Sequence, residues 1–181
     1  DVLLDMYEEG MTMKEYDSFF NLVKEELVAF VLNATSNKKK LSRKLTKGFF
    51  PADKQKAFSM YLTGVFSFDM NRGVLKESAH PFSTSFSSGD VRITSRYKED
   101  LLVSSIFSTI HEMGHGIYEQ QESKELLHTR LNGGASMGIH ESQSRMYENM
   151  IGRSLAFCKL HYPKLQSIFP KQLKDIGVEE F

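Results

Sequence analysis

The chain has little of what marks a secreted, membrane-embedded or nucleic-acid-binding protein. Cys158 is its single cysteine, which excludes an intrachain disulfide. It lies in the apolar stretch Leu155 to Leu160, so a buried thiol is expected there rather than a nucleophile. No segment approaches the roughly 18 consecutive apolar residues needed to span a bilayer as a helix. The 23 Lys and Arg balance 23 Asp and Glu, leaving zero formal charge. That balance removes any electrostatic argument for nucleic acid, membrane surface or an acidic substrate. One basic run, Lys38 to Lys47 (KKKLSRKLTK), has no interleaved aromatics and reads as a solvated loop. With only four prolines there is no Pro-rich linker, and no repeat or low-complexity tract is present. What remains is 181 residues, 40% hydrophobic, enough to bury a core. A globular cytoplasmic domain, or a lobe of a larger one, is expected.

The informative segment is HEMGH, His111 to His115. A helix over 99–121 is predicted from Leu101, Leu102, Val103, Ile106, Phe107, Ile110, Met113, Ile117 and Tyr118, which recur at spacings of three and four. Beside this stripe runs a polar line of Ser104, Ser108, His111 and His115. Residues four apart lie one turn apart on one helix face, so both imidazoles can reach one metal ion. Glu112 points beside such an ion and can take a proton from water, the arrangement of a zinc metallopeptidase. The alternative for a pair of histidines is a surface or hydrogen-bonded core position. Gly114 and Gly116 each cost the helix about 1 kcal/mol relative to Ala, a loss that close approach of another element or of substrate would explain.

A catalytic zinc keeps three protein ligands and an open position, so a third donor is needed. The expected donor is Glu141, after 25 intervening residues, on a helix capped by Ser136 and running from about Gly138 to Leu160. Arg145 and Glu148 share its face. His140 competes, since imidazole also binds zinc, but adjacent helical residues point about 100° apart. Site chemistry favours Glu141 as ligand, leaving His140 to face the cleft as a substrate-side hydrogen-bond donor.

Elsewhere, Thr12 and Glu15 form a capping-box pattern opening a helix to about Ala34, with an expected buried stripe of Tyr16, Phe19, Phe20, Val23, Leu27, Phe30 and Val31. A second helix follows Pro51, with Phe58, Tyr61, Leu62, Val65 and Phe66 at core spacing. From Val74 to Tyr97 the composition reads as two or three short strands. Alternation puts Asp90, Arg92, Thr94 and Arg96 on one face and Val91, Ile93, Ser95 and Tyr97 on the other. Tyr162 to Phe169 and the segment after Pro170 read as short helical pieces. Arg92 is a candidate substrate-binding residue if its strand forms a sheet edge that pairs with a peptide; the alternative is an internal salt bridge to Asp90. His80 either lines the cleft or fixes a turn. His128 and His161 are expected at the surface.

HEMGHGIYEQ, the later GGASMGIHESQSRMYEN, the upstream AHPF (Ala79 to Phe82) and DVRIT (Asp90 to Thr94), and FFPADKQKAFS together resemble the carboxypeptidase Taq family of zinc metallocarboxypeptidases. The resemblance covers essentially the whole chain. It implies His111, His115 and Glu141 as metal ligands, Glu112 as catalytic base, one zinc ion (with cobalt an alternative), a peptide substrate trimmed from its C-terminus, and a homodimer. Members are longer, carrying an arginine-containing IRxxAD segment and a later one with Gln, Asp and His-Trp; neither is here, and the chain has no Trp. The expectation is therefore a single domain over 1–181 forming an internal part of a longer enzyme. Its fold is expected to be mainly α with a small β-sheet (α+β), a zincin-like bundle with short strands beside the zinc helix. The other readings are an HExxH endopeptidase or oligopeptidase and a non-catalytic zinc-binding module.

Overall fold

A computed structural model describes residues 2–5, 7–36 and 48–180; the basic run Lys38 to Lys47 lies outside the described residues. The coordinates divide into two compact units. The first carries helices α1 (Val2–Asp5) and α2 (Met13–Ser36), together with Ser136–Gly138. The capping box forms as the sequence predicts. Thr12 N–H donates to Glu15 Oε2 at 2.9 Å and Glu15 N–H donates to Thr12 Oγ1 at 3.3 Å. The buried stripe does not form. No residue of α2 is buried, and Phe19, Phe20, Leu27, Phe30 and Val31 are all exposed. Periodicity says that a helix needs cover but not what supplies it. Within this unit α1, at 4 residues, is too short to cover the 24 of α2.

The second unit builds the site. Helix α3 (Ala52–Val65) leads into strands β1 (Gly73–Glu77), β2 (Ser83–Ser87) and β3 (Asp90–Ser95), and then into helix α4 (Leu102–Gln120). A 3-10 turn at Lys124–Leu126 precedes helix α5 (Met137–Arg145), a π-helical segment (Met146–Gly152) and helix α6 (Leu155–Ile168). The sheet order is β1-β3-β2, with β1 parallel and β2 antiparallel to β3. Alternation in β3 holds: Val91, Ile93, Ser95 and Tyr97 are buried, while Arg92 and Arg96 are exposed. Thr94, on the outer face, is buried because its hydroxyl bonds the chain at Phe82. Because β3 is the central strand, it cannot be the peptide-pairing edge expected for Arg92. The edges are β1 and β2.

Leu102, Ile106, Ile110, Met113 and Ile117 of α4 are each at most 4% exposed. They pack with Phe58 and Leu62 of α3, Val91 and Ile93 of β3, and Tyr162 and Leu165 of α6 in one core. Each such side chain contributes about 1.5–3 kcal/mol on burial. Polar residues in this core are paired. Thr109 bridges Ser59 and Ser95 at 3.0 Å each, and Ser105 donates to Gln55 Oε1 at 2.6 Å, which locks α4 against α3 and β3. His161 is buried rather than at the surface, because the Tyr61 hydroxyl reaches its Nδ1 at 2.8 Å.

The helix expected from Gly138 to Leu160 is broken into three. Arg153 N–H bonds back to Glu148 O, five residues earlier, and the Ser154 hydroxyl then accepts from Phe157 N–H to start α6 afresh. Tyr162 to Phe169 belongs largely to α6, and no helix follows Pro170 among the described residues.

Candidate metal centre

Helix α4 runs beneath the site and α5 crosses it where side chains are smallest. A Cβ on Gly114 would meet Ser144 Cα at 2.6 Å; on Gly116 it would meet Phe68 and Ile93 side-chain carbons at 2.8 and 2.9 Å. Both glycines thus answer to close approach, one to the backbone of α5 and one to the sheet side. The Gly114 contact brings Glu141, one turn before Ser144, over the two histidines.

His111, His115 and Glu141 form the one His/Glu/Asp/Cys group of metal-binding geometry among the described residues, with one donor atom from each within 4.8 Å of the others. Glu141 Oε2 lies 3.2 Å from His115 Nε2 and 3.6 Å from His111 Nε2. Tetrahedral ligands at about 2.0–2.1 Å from a zinc-sized cation sit roughly 3.3–3.4 Å apart, so these spacings fit such an ion. The donor set, two imidazoles and a carboxylate, suits the same chemistry.

Each member is held from behind. His111 Nδ1 lies 3.0 Å from Glu148 Oε2, and Glu148 Oε1 accepts from Arg153 at 2.7 Å. Arg153 in turn lies over the Phe107 ring at 3.8 Å. Arg145 Nε donates to Glu141 Oε1 at 2.7 Å, leaving Oε2 toward the histidines. Glu112, buried, accepts from Ser83 Oγ of β2 at 2.7 Å.

Protonation follows from these surroundings. Burial lowers the His115 pKa to about 4, with His140 and His111 adding to it, so the ring is neutral and ready to ligate at neutral pH. Burial raises Glu112 above the usual carboxylate range, opposed by the Ser83 hydroxyl. For Glu141, burial pushes upward but is outweighed by Arg145 and the histidines; for Glu148, Arg153 and His111 outweigh it in the same way, so both stay ionised.

A groove of about 390 Å³ opens beside His111 and Glu112, walled by Ser104, Ser108, Arg145 and Arg153. Ser104, Ser108 and His111 of the polar line face this groove.

The remaining candidates fall elsewhere. His140 is 12% exposed and both its ring nitrogens are engaged, by His115 and by Glu119, so it does not face a cleft as a free donor. Arg92 is clamped by both oxygens of Asp90 at 2.9 Å and stacks on Phe86. The exposed His80 is held through its carbonyl, which accepts from the Ser78 hydroxyl, as in a fixed turn. Sequence reasoning missed Ser83, Ser85, Glu119 and Arg153. For Glu119 a signal existed, since it follows His115 by one more turn of the same face.

Known proteins match this chain over all or nearly all of its length. The chain is 44% identical over 181 residues to carboxypeptidase 1 of Bacillus subtilis, covering 100% of this chain and 36% of that protein. It is 39% identical over 181 residues to thermostable carboxypeptidase 1 of Thermus thermophilus, covering 100% of this chain and 35% of that one. Among solved structures, Trypanosoma cruzi metallocarboxypeptidase 1 superposes with a TM-score of 0.83 at 36% identity, over 98% of this chain and 36% of that one. The chain thus spans about a third of the length of the curated relatives it matches. The profile of carboxypeptidase Taq (M32) metallopeptidases matches residues 1–181, and this chain belongs to that family.

Proposed function

We propose that this chain carries the metal-binding and proton-transfer core of a zinc-dependent carboxypeptidase that removes C-terminal residues from peptides. Support for the metal comes from the convergence of His111, His115 and Glu141 at the spacing a tetrahedral ion requires. Support for C-terminal action comes from the relatives, each named a carboxypeptidase. Zinc fits the donor set, and cobalt prefers the same ligands.

When bound, a divalent cation here acidifies water and polarises the scissile carbonyl. Glu112 supplies the proton chemistry: its carboxylate accepts the proton of the attacking water and hands it to the departing amine. Burial of Glu112 brings its pKa closer to the working pH, which suits a group that must both take and give a proton. Ser83 fixes which carboxylate oxygen stays available. The groove beside His111 offers space for a peptide, and the sheet edge that packs against α4 belongs to β2. A cytoplasmic location, from the single cysteine, and a homodimer, from the family resemblance, belong to the same proposal.

The test is Glu112→Gln in the full chain. Metal content is expected to remain at one ion per chain while hydrolysis of an N-blocked dipeptide is lost. Retained hydrolysis refutes the role of Glu112. Cleavage of C-amidated peptides at internal bonds would instead identify an endopeptidase.

A further inference from the structure

The two histidines of α4 are secured differently behind their ligating faces. His111 meets a carboxylate directly, Glu148 at 3.0 Å. His115 meets a second imidazole: its Nδ1 lies 2.7 Å from Nδ1 of His140. His140 Nε2 lies 2.5 Å from Glu119 Oε1, and Glu119 Oε2 accepts from Ser85 Oγ of β2 at 2.7 Å.

We propose that His140, Glu119 and Ser85 form a positioning tether that fixes the tautomer and ring orientation of His115 for metal binding. It rests on the reading of His115 as a ligand. A contact of 2.7 Å between two ring nitrogens holds one proton, and only one polarity satisfies the whole line. With His115 Nε2 bare toward Glu141, its proton sits on Nδ1 and is donated to a bare His140 Nδ1. The His140 proton then sits on Nε2 and is donated to Glu119, whose other oxygen takes the Ser85 hydroxyl. Reversing the first bond puts the His115 proton on the face that must ligate. It also leaves a bare His140 Nε2 facing a carboxylate oxygen, two acceptors at 2.5 Å.

The intermediate imidazole has a geometric reason. Glu119 is one turn beyond His115 on the same helix, where Cβ atoms are about 5–6 Å apart, and it is already held by Ser85. His140, delivered by α5, spans the interval. Its ring is clamped: Tyr118 packs edge-on at 4.7 Å, and a Cβ on Gly134 would come within 2.7 Å of His140 Cδ2. Side-chain exposures of 13%, 12% and 16% for His115, His140 and Glu119 leave little room for water to replace any link. Outer partners of metal-bound histidines set affinity by about 10–100-fold.

The experiment measures zinc affinity by chelator competition and the visible spectrum of the Co(II)-loaded full chain for His140→Ala, His140→Asn and Glu119→Gln. His140→Ala is expected to weaken zinc binding about 10–100-fold and to shift the Co(II) bands. His140→Asn restores an acceptor for His115 Nδ1 and is expected to recover most of the affinity. Glu119→Gln, which keeps an acceptor but loses the charge, is expected to fall between. Unfolding midpoints of the metal-free variants separate a lost tether from a lost fold. Parent-like affinity and spectrum in His140→Ala overturn the inference; if that variant fails to fold, the same result in Glu119→Gln does so. A parent that binds no zinc overturns the metal reading itself.

Discussion

Replacing Gly114 by alanine sets two opposed effects against each other, and the structure says which dominates where. Alanine favours a helix interior by about 1 kcal/mol over glycine. Its methyl, however, would sit 2.6 Å from Ser144 Cα and 3.3 Å from both Ser144 N and Tyr147 Cβ. Carbon atoms rest at about 3.5–4.0 Å, so α5 must withdraw by roughly 1 Å, and backbone cannot swing aside as a side-chain tip does. Overpacking of this kind costs about 1–3 kcal/mol, so the net loss of stability is about 0–2 kcal/mol. The site is less forgiving. Glu141 rides on α5 and the histidines on α4, and metal–ligand distances tolerate only about 0.2 Å. Zinc affinity is expected to fall about tenfold or more, with roughly a hundredfold loss of turnover. Chelator competition and urea unfolding of the metal-free protein give the two numbers separately. A variant stabilised by the full propensity gain with parental zinc affinity would refute the close approach of α5 to Gly114.

Three further outcomes follow from named groups. An unfolded chain protonates His115 near pH 6.5, whereas the folded one resists until about 4, so the unfolded state binds more protons in that window. His115 is therefore expected to contribute a loss of stability in the metal-free protein as pH falls from 6.5 to 4, of at most about 3 kcal/mol. Glu112, raised by burial, acts in the opposite direction and His161, lowered by burial, in the same one, so the measurement compares Glu112→Gln with Glu112→Gln/His115→Asn; equal pH profiles refute the reading. Tyr61→Phe leaves the buried His161 Nδ1 without its partner and is expected to cost about 1–3 kcal/mol in chemical unfolding while zinc affinity stays at the parental value. Ser83→Ala removes the donor that lowers the Glu112 pKa, so the acidic limb of kcat/KM is expected to move to higher pH; an unmoved limb shows that Ser83 does not set it.

Much of this site is legible from local patterns. The four-residue spacing of His111 and His115 and the apolar stripe Ile106, Ile110, Met113 and Ile117 specify both a helix and its inner face, and two glycines in that helix announce close neighbours. The alternation of Val91, Ile93 and Ser95 gives the buried face of β3 without any knowledge of its partners. Less legible are features that depend on how elements meet. Strand order decides whether Arg92 sits at an edge, and no pattern within DVRIT encodes it. The periodicity of α2 predicts a buried apolar side, yet its cover is not a property of that helix. The sequence around His161 shows no partner for it, because that partner, Tyr61, lies 100 residues away. The supports of the metal cluster come from β2, the end of α4 and the segment after α5, and they converge only once the second unit is folded.

The wide turn of Met146–Gly152 sets the angular phase between the two helices it joins. A segment closing five residues back instead of four spreads the same chain over fewer degrees per step. Glu148 and Arg153 consequently meet as neighbours, although an α-helical count of five would turn them well apart. Upstream of this offset the helix serves the cation site; downstream, Tyr162 and Leu165 point into the apolar interior. Ordinary winding of the same seven residues would bring one of these two surfaces out of alignment with its destination.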